Sequence, residues 1–123
     1  MRRAILIAAC FSAIMAVSAA PAFAGFGALA YDQDARKWGL SSNEDSEGKA
    51  EDVAMKECGS DKCKIIFRMG PKQCGAIALD EGETNAWGGG KNPQRATAEL
   101  AAITNCQKHT KGQCKVRASE CNR

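Results

Sequence analysis

The chain contains a single histidine, His109, and no Cys-x-x-Cys pair. Structural zinc sites are built from closely spaced cysteine pairs and histidines. The nearest spacings here are Cys58-x4-Cys63 and Cys106-x7-Cys114, so neither a zinc module nor a haem-attachment motif is read, and no cofactor is expected. A phosphate-binding Gly-x4-Gly-Lys-Ser/Thr loop is also missing. Asp32-Gln33-Asp34 begins like a calcium loop, but the rest of that motif does not follow, so these residues read as a turn. Charge of one sign is lacking too: 17 Lys+Arg against 14 Asp+Glu give a net +3, two units of which come from Arg2 and Arg3. Nucleic-acid binders show a concentrated basic excess, and that class is excluded. Aromatics are only 6% of the chain. Long apolar runs are limited to Ala4–Ala20.

That run has the form of a secretory signal. Arg2 and Arg3 supply its charged start, and Ala22-Phe23-Ala24 supplies a small-x-small cleavage site. Residues 1–24 are read as a signal peptide. Residues 25–123 are read as one domain, exported to the periplasm or secreted, with no membrane span after cleavage. Cys10 leaves with the signal. Six cysteines remain, an even count that implies a disulfide framework in a small exported chain.

The strongest positive signal is an internal repeat at an offset of 48 residues. Gly27-Ala28-Leu29-Ala30-Tyr31 recurs as Gly75-Ala76-Ile77-Ala78-Leu79. Ala50, Val53, Ala54 and Cys58 recur as Ala98, Ala101, Ala102 and Cys106. Trp38-Gly39 recurs as Trp87-Gly88, one residue out of register. One supersecondary unit is therefore used twice, over 25–72 and 73–123. Features common to both copies belong to the scaffold, and features of one copy are candidates for function.

The repeat also orders the cysteines. Cys58 and Cys106 end equivalent helices, and Cys63 and Cys114 open the strands that follow. Each short loop is expected to close as Cys58–Cys63 and Cys106–Cys114, leaving Cys74 to pair with Cys121. On a loop-entropy basis the short bridges contribute roughly 2 kcal/mol each and the long one roughly 4 kcal/mol. So small a core needs that help.

Each copy reads strand, turn, strand, helix, strand. Asp45 or Ser46 caps the first helix and Gly59 stops it in the left-handed region. Asn92 caps the second, with Pro93 at its first position. Gly82 is free to take positive φ in the second copy's hairpin turn. The fold class is α+β: a duplicated ββαβ unit forming one antiparallel sheet with two helices on one face, stapled by disulfides.

Taken together, the Gly-Ala-(Leu/Ile)-Ala opening, the Trp-Gly of the second strand, the Ala-rich helix ending in Cys and the Cys-Lys-(Ile/Val) strand resemble a bacterial family called domain of unknown function 4189. The resemblance spans residues 25–123 and implies a small exported protein. It carries no activity, so no catalytic residues follow from it. This chain is lean in aromatics, with Trp38, Trp87 and Tyr31 among the few, which weighs against a binding role built on an aromatic surface.

Two candidate sites stand out. Gly88-Gly89-Gly90-Lys91 before the second helix offers bare amides, a lysine and a helix N-terminus for an anion. An outward row of Lys64, Arg68, Lys115 and Arg117 forms a basic stripe if the two closing strands are neighbours. The functional reading is a non-enzymatic binding or interaction module, with a protein or an anionic envelope polymer as partner. One alternative is a small enzyme or metal-binding protein using unpaired cysteines or His109. The other is a structural envelope component.

Overall fold

The computed structural model describes residues 25–123, so the expected signal over 1–24 lies outside the described residues. The first repeat runs β1 (Phe26–Asp32), β2 (Lys37–Glu44), α1 (Glu47–Cys58) and β3 (Lys64–Met69). The second runs β4 (Cys74–Asp80), β5 (Trp87–Asn92), α2 (Arg95–Gln107) and β6 (Cys114–Cys121). The ββαβ unit therefore occurs twice in an α+β fold.

Helix α1 starts where Ser46 Oγ accepts the Lys49 amide at 3.1 Å, an N-cap. It ends at Gly59, whose φ of 72° is left-handed and whose amide donates to the Met55 carbonyl. Helix α2 starts later than its sequence suggests. Gln94, not Asn92, is the N-cap, and Arg95 is the first helical residue. Asn92 Oδ1 instead accepts the Gln94 amide, an Asx-type turn that holds Pro93 outside the helix. Gly82 is not at positive φ; in that turn its amide donates to Asp80 Oδ1.

The repeats do not share one sheet. Strand order is β2-β1-β3 in the first and β5-β4-β6 in the second, all antiparallel. The reason lies in the alternation of β1 and β4. Ala28 and Ala30 point to α1, while Leu29 and Tyr31 point the other way. Ala76 and Ala78 point to α2, while Ile77 and Leu79 point away from it. A single sheet with helices on one face would leave those large side chains wet. Instead the two sheets pack face to face over Leu29, Leu40, Met69, Ile77 and Leu79, with a helix outside each. Both central strands are thus covered on both faces.

Small residues let the helices lie close. Ala50, Ala54 and Cys58 of α1 and Ala98, Ala102 and Cys106 of α2 are buried against their sheets. Opposite them stand Gly39 and Gly88. A methyl at Gly39 would strike the Ala54 carbonyl oxygen and lie 2.6 Å from the Cys58 amide nitrogen. One at Gly88 would strike the Ala102 carbonyl oxygen and the Cys106 amide nitrogen. The glycine that follows each repeated tryptophan is therefore a packing requirement. The cysteines close as Cys58–Cys63, Cys74–Cys121 and Cys106–Cys114, the pairs that the repeat points to.

Both β1 and β4 end on a buried aspartate. Asp32 accepts the amides of Asp34 and Ala35 and the Ser60 hydroxyl, tying its hairpin turn to the loop after α1. Asp80 does the same with the Gly82 amide and the hydroxyls of Thr84 and Thr110. Those donors, Thr110 and Thr84 foremost, lower the Asp80 carboxyl from the usual 3.8 to about 2. A carboxyl depressed in the folded state stabilises the fold above its unfolded pKa, and that stabilisation fades as pH falls through the folded value. Asp80→Asn is expected to lower stability at neutral pH and to flatten the stability loss between about pH 4 and about pH 2. Urea midpoints measured across that range check it.

Asn122 gathers the segments where the repeats meet. Its amide nitrogen donates to the Gly25 carbonyl at 2.9 Å and the Gly70 carbonyl at 2.8 Å. Its side-chain oxygen accepts the Asn43 amide at 2.8 Å. Asn122→Ala leaves buried backbone groups unpaired and is expected to cost about 2–3 kcal/mol, read from the urea midpoint.

Candidate functional site

The first repeat's turn and edge strand meet the second repeat at Trp87. Three recesses join there. One, of about 280 Å3, is walled by Tyr31, Gln33, Asp34, Lys64, Ile66 and Trp87. A second, of about 450 Å3, adds Thr84, Asn85, Ala86 and His109 to Gln33 and Trp87. A third, of about 430 Å3, runs past Ile66, Phe67, Trp87, Asn105, Lys108 and His109. Trp87 is half-buried, and its ring lies 4.7 Å from that of Tyr31, centroid to centroid, tilted by 38°.

Each wall is placed by strand geometry. Tyr31 is paired across β1–β3 with Lys64. The register shifts between Leu29 and Ala30, so Ile66 is the extra residue of a bulge. The bulge lets Ile66 and Phe67 both pack toward the interface between the sheets, whereas Ile65 stays on the α1 side. Gln33 and Asp34 hang from the turn that Asp32 fastens. Asp34 is ion-paired with Lys62 at 3.6 Å. Lys64 has no carboxylate partner among the described residues.

Tyr31 is buried, yet its hydroxyl has no hydrogen-bond partner. Burial pushes its pKa up, and the charge of Arg36 opposes that. The Arg36 guanidinium donates to the carbonyl oxygens of Asp80 and Gly82 and lies beside the hydroxyl, near enough to oppose the rise in its pKa but outside hydrogen-bonding geometry. Arg36 itself holds a φ of 55°, a left-handed backbone that a non-glycine residue adopts at a cost.

The duplication builds a matching cleft around Trp38, of about 320 Å3, walled by Arg36, Trp38, Leu79, Glu81 and Arg117. Leu79 takes the place of Tyr31, and Glu81 that of Gln33, each 48 residues on. Lys115 pairs across β4–β6 with Leu79 as Lys64 does with Tyr31. Here, however, Lys115 is bound to Glu81 at 3.1 Å. Arg117 is the bulge residue that matches Ile66.

The two surfaces read from sequence are not built as expected. Gly88, Gly89, Gly90 and Lys91 belong to strand β5, not to a loop opening α2. Gly88 and Gly90 press on the α2 backbone, and Gly89 faces Phe67. Lys91 Nζ donates to the Arg68 carbonyl at 3.0 Å and lies 5.9 Å from the Phe67 ring centroid. The grouping of bare amides, lysine and helix start is therefore not formed. The basic stripe is not formed either, because β3 and β6 lie in different sheets. Lys64 walls one cleft and Arg117 the other. Arg68 sits on the α1 side, bound to Glu51. His109 is exposed at the rim of the Trp87 recesses. Among the described residues no three His, Cys, Asp or Glu side chains are grouped to hold a metal, and no helix is long and apolar enough to cross a membrane.

Sequence reasoning passed over Tyr31, Gln33, Asp34, Ile66 and Phe67 as a site. The usable signal was the departure of Tyr31 and Gln33 from Leu79 and Glu81 at the repeat offset.

The chain is similar to known proteins. Protein Rv1269c of Mycobacterium tuberculosis is 34% identical over 79 residues, 64% of this chain and 59% of that protein. Protein Mb1300c of Mycobacterium bovis gives the same figures. The chain thus spans 59% of the length of these curated relatives. The NMR structure of Rv1813c from Mycobacterium tuberculosis is similar with a TM-score of 0.60 at 25% identity, covering 99% of both chains. The model of the domain of unknown function DUF4189 matches residues 26–121, and the chain belongs to that family.

Proposed function

We propose that this protein is exported and acts, without catalysis, as a disulfide-locked binding module for an envelope polymer or a partner protein. The observation that carries the reading is the open, tryptophan-walled cleft at the junction of the repeats, where a binding site is commonly found between packed units. The three bridges support it further. They tie up Cys58, Cys63, Cys74, Cys106, Cys114 and Cys121, so none of the six offers a thiolate. Bridges of this kind suit an environment outside the cytoplasm, and the signal-like residues 1–24 agree with export to the periplasm or beyond.

The test uses the full chain, expressed for export and recovered oxidised. It is titrated with acidic polysaccharides and acidic peptides while tryptophan fluorescence is followed, with and without iodoacetamide. Saturable binding that iodoacetamide leaves unchanged supports the reading. Turnover of a titrant that iodoacetamide or His109→Ala abolishes contradicts it.

A further inference from the structure

We propose that the cleft walled by Tyr31, Gln33, Lys64, Ile66 and Trp87 binds an acidic saccharide unit, its ring against the Trp87 indole and its carboxylate on Lys64 Nζ. This deepens the binding-module reading and rests on it.

The comparison between the two repeats carries the argument. The scaffold needs only an apolar side chain at the position of Tyr31, since Leu79 fills the equivalent place in the second repeat. Tyrosine there adds a buried hydroxyl without a partner, which costs stability relative to an apolar ring. The scaffold also tolerates a carboxylate facing the edge lysine, as Glu81 does with Lys115. The first repeat has Gln33 at that place, and so Lys64 keeps its charge free. Both departures fall on one cleft, and the second leaves an unpaired ammonium in its wall. Asp34, the acidic residue in the wall, is offset by Lys62.

The chemistry of the wall selects the ligand. An indole face carries negative potential and attracts the polarised C–H face of a sugar ring. The Gln33 amide both donates and accepts, as sugar hydroxyls require. Lys64 supplies a charge-assisted contact to a carboxylate. At about 280 Å3 the recess has room for a single ring, with the neighbouring recess beyond Gln33 for the next. An extended acidic peptide would match the ammonium but not the flat, neutral-polar remainder.

The test is a 15N NMR titration of the exported, oxidised full chain with short oligogalacturonate, a neutral gluco-oligosaccharide of equal length and an acidic peptide. Oligogalacturonate is expected to shift the Trp87 indole N–H and the Gln33 side-chain amide saturably. Lys64→Gln is expected to weaken binding about tenfold, the scale of one charge-assisted contact, and Lys115→Gln to leave it unchanged. Gln33→Glu, which restores the second repeat's residue, is expected to weaken binding about tenfold by pairing with Lys64 as Glu81 does with Lys115, while the melting temperature holds. The proposal is overturned if Trp87 does not shift, if Lys64→Gln changes nothing, or if the neutral oligosaccharide or the peptide binds the cleft as tightly. Binding of either acidic titrant elsewhere on the surface overturns the cleft but leaves the binding-module reading standing. Thiol-dependent turnover removes that reading itself.

Discussion

Gly39→Ala is expected to unfold the protein or destabilise it by about 4 kcal/mol or more. The added methyl collides with backbone, not with the end of a flexible side chain: the Ala54 carbonyl and the Cys58 amide of α1 stand in its way. Relief requires lifting α1 off its sheet, which would wet Ala50, Ala54 and Cys58, all now buried. Close-packed interiors have no slack for such a shift. Gly88→Ala should behave alike against α2, since the geometry is repeated there. Gly48→Ala is the control. Gly48 lies exposed within α1 with nothing near its missing methyl, so alanine should add about 0.5–1 kcal/mol through helix propensity. Circular dichroism melts of the three variants separate the outcomes. A folded Gly39→Ala with an unchanged midpoint would mean that α1 is not seated as described.

Removing the Cys74–Cys121 bridge is expected to cost about 4 kcal/mol, against about 2 kcal/mol for Cys58–Cys63. The difference follows from loop length: the first closes a separation of 47 residues, the second one of 5. Cys74 opens β4 and Cys121 ends β6, so the long bridge fastens the last strand beside the strand that starts the second repeat. The adjoining Asn122 holds the ends of the first repeat, so fraying there should spread to both halves. For a domain of this size the loss corresponds to a fall in melting temperature on the order of 20 °C. Paired Cys→Ala variants, melted under the same conditions, test the order. Equal losses for the two bridges would show that loop closure is not what decides.

Much of this fold is legible in the residues because local chemistry and tertiary packing agree. Ser46 and Gly59 bound α1 in sequence and in space, and the Ala–Ala–Cys faces announce helices that lie close to a sheet. The second sheet was hidden for a physical reason. Ala28 and Ala30 alternate with Leu29 and Tyr31, so β1 is apolar on both faces, a pattern that fits several covers. Only the size difference, small toward the helix and large toward the other sheet, distinguishes them. The bulges at Ile66 and Arg117 change which face each later residue takes, and strict alternation cannot foresee that. The triple glycine read as loop because glycine is poor in strands, yet here the closeness of α2 demands it. The cleft at Trp87 is made from both repeats, so no contiguous motif marks it. Its trace in the sequence is a difference between copies: a tyrosine and a glutamine where the other has leucine and glutamate.

The central claim, a closed scaffold whose cysteines are all structural and whose function is binding, is tested most directly by thiol labelling with intact mass on the protein recovered from its own host. No label before reduction and labelling at all six positions Cys58, Cys63, Cys74, Cys106, Cys114 and Cys121 after it is the predicted result. Label taken up without reduction, or bound metal released on denaturation, would contradict the account and turn attention to thiol or metal chemistry at those cysteines.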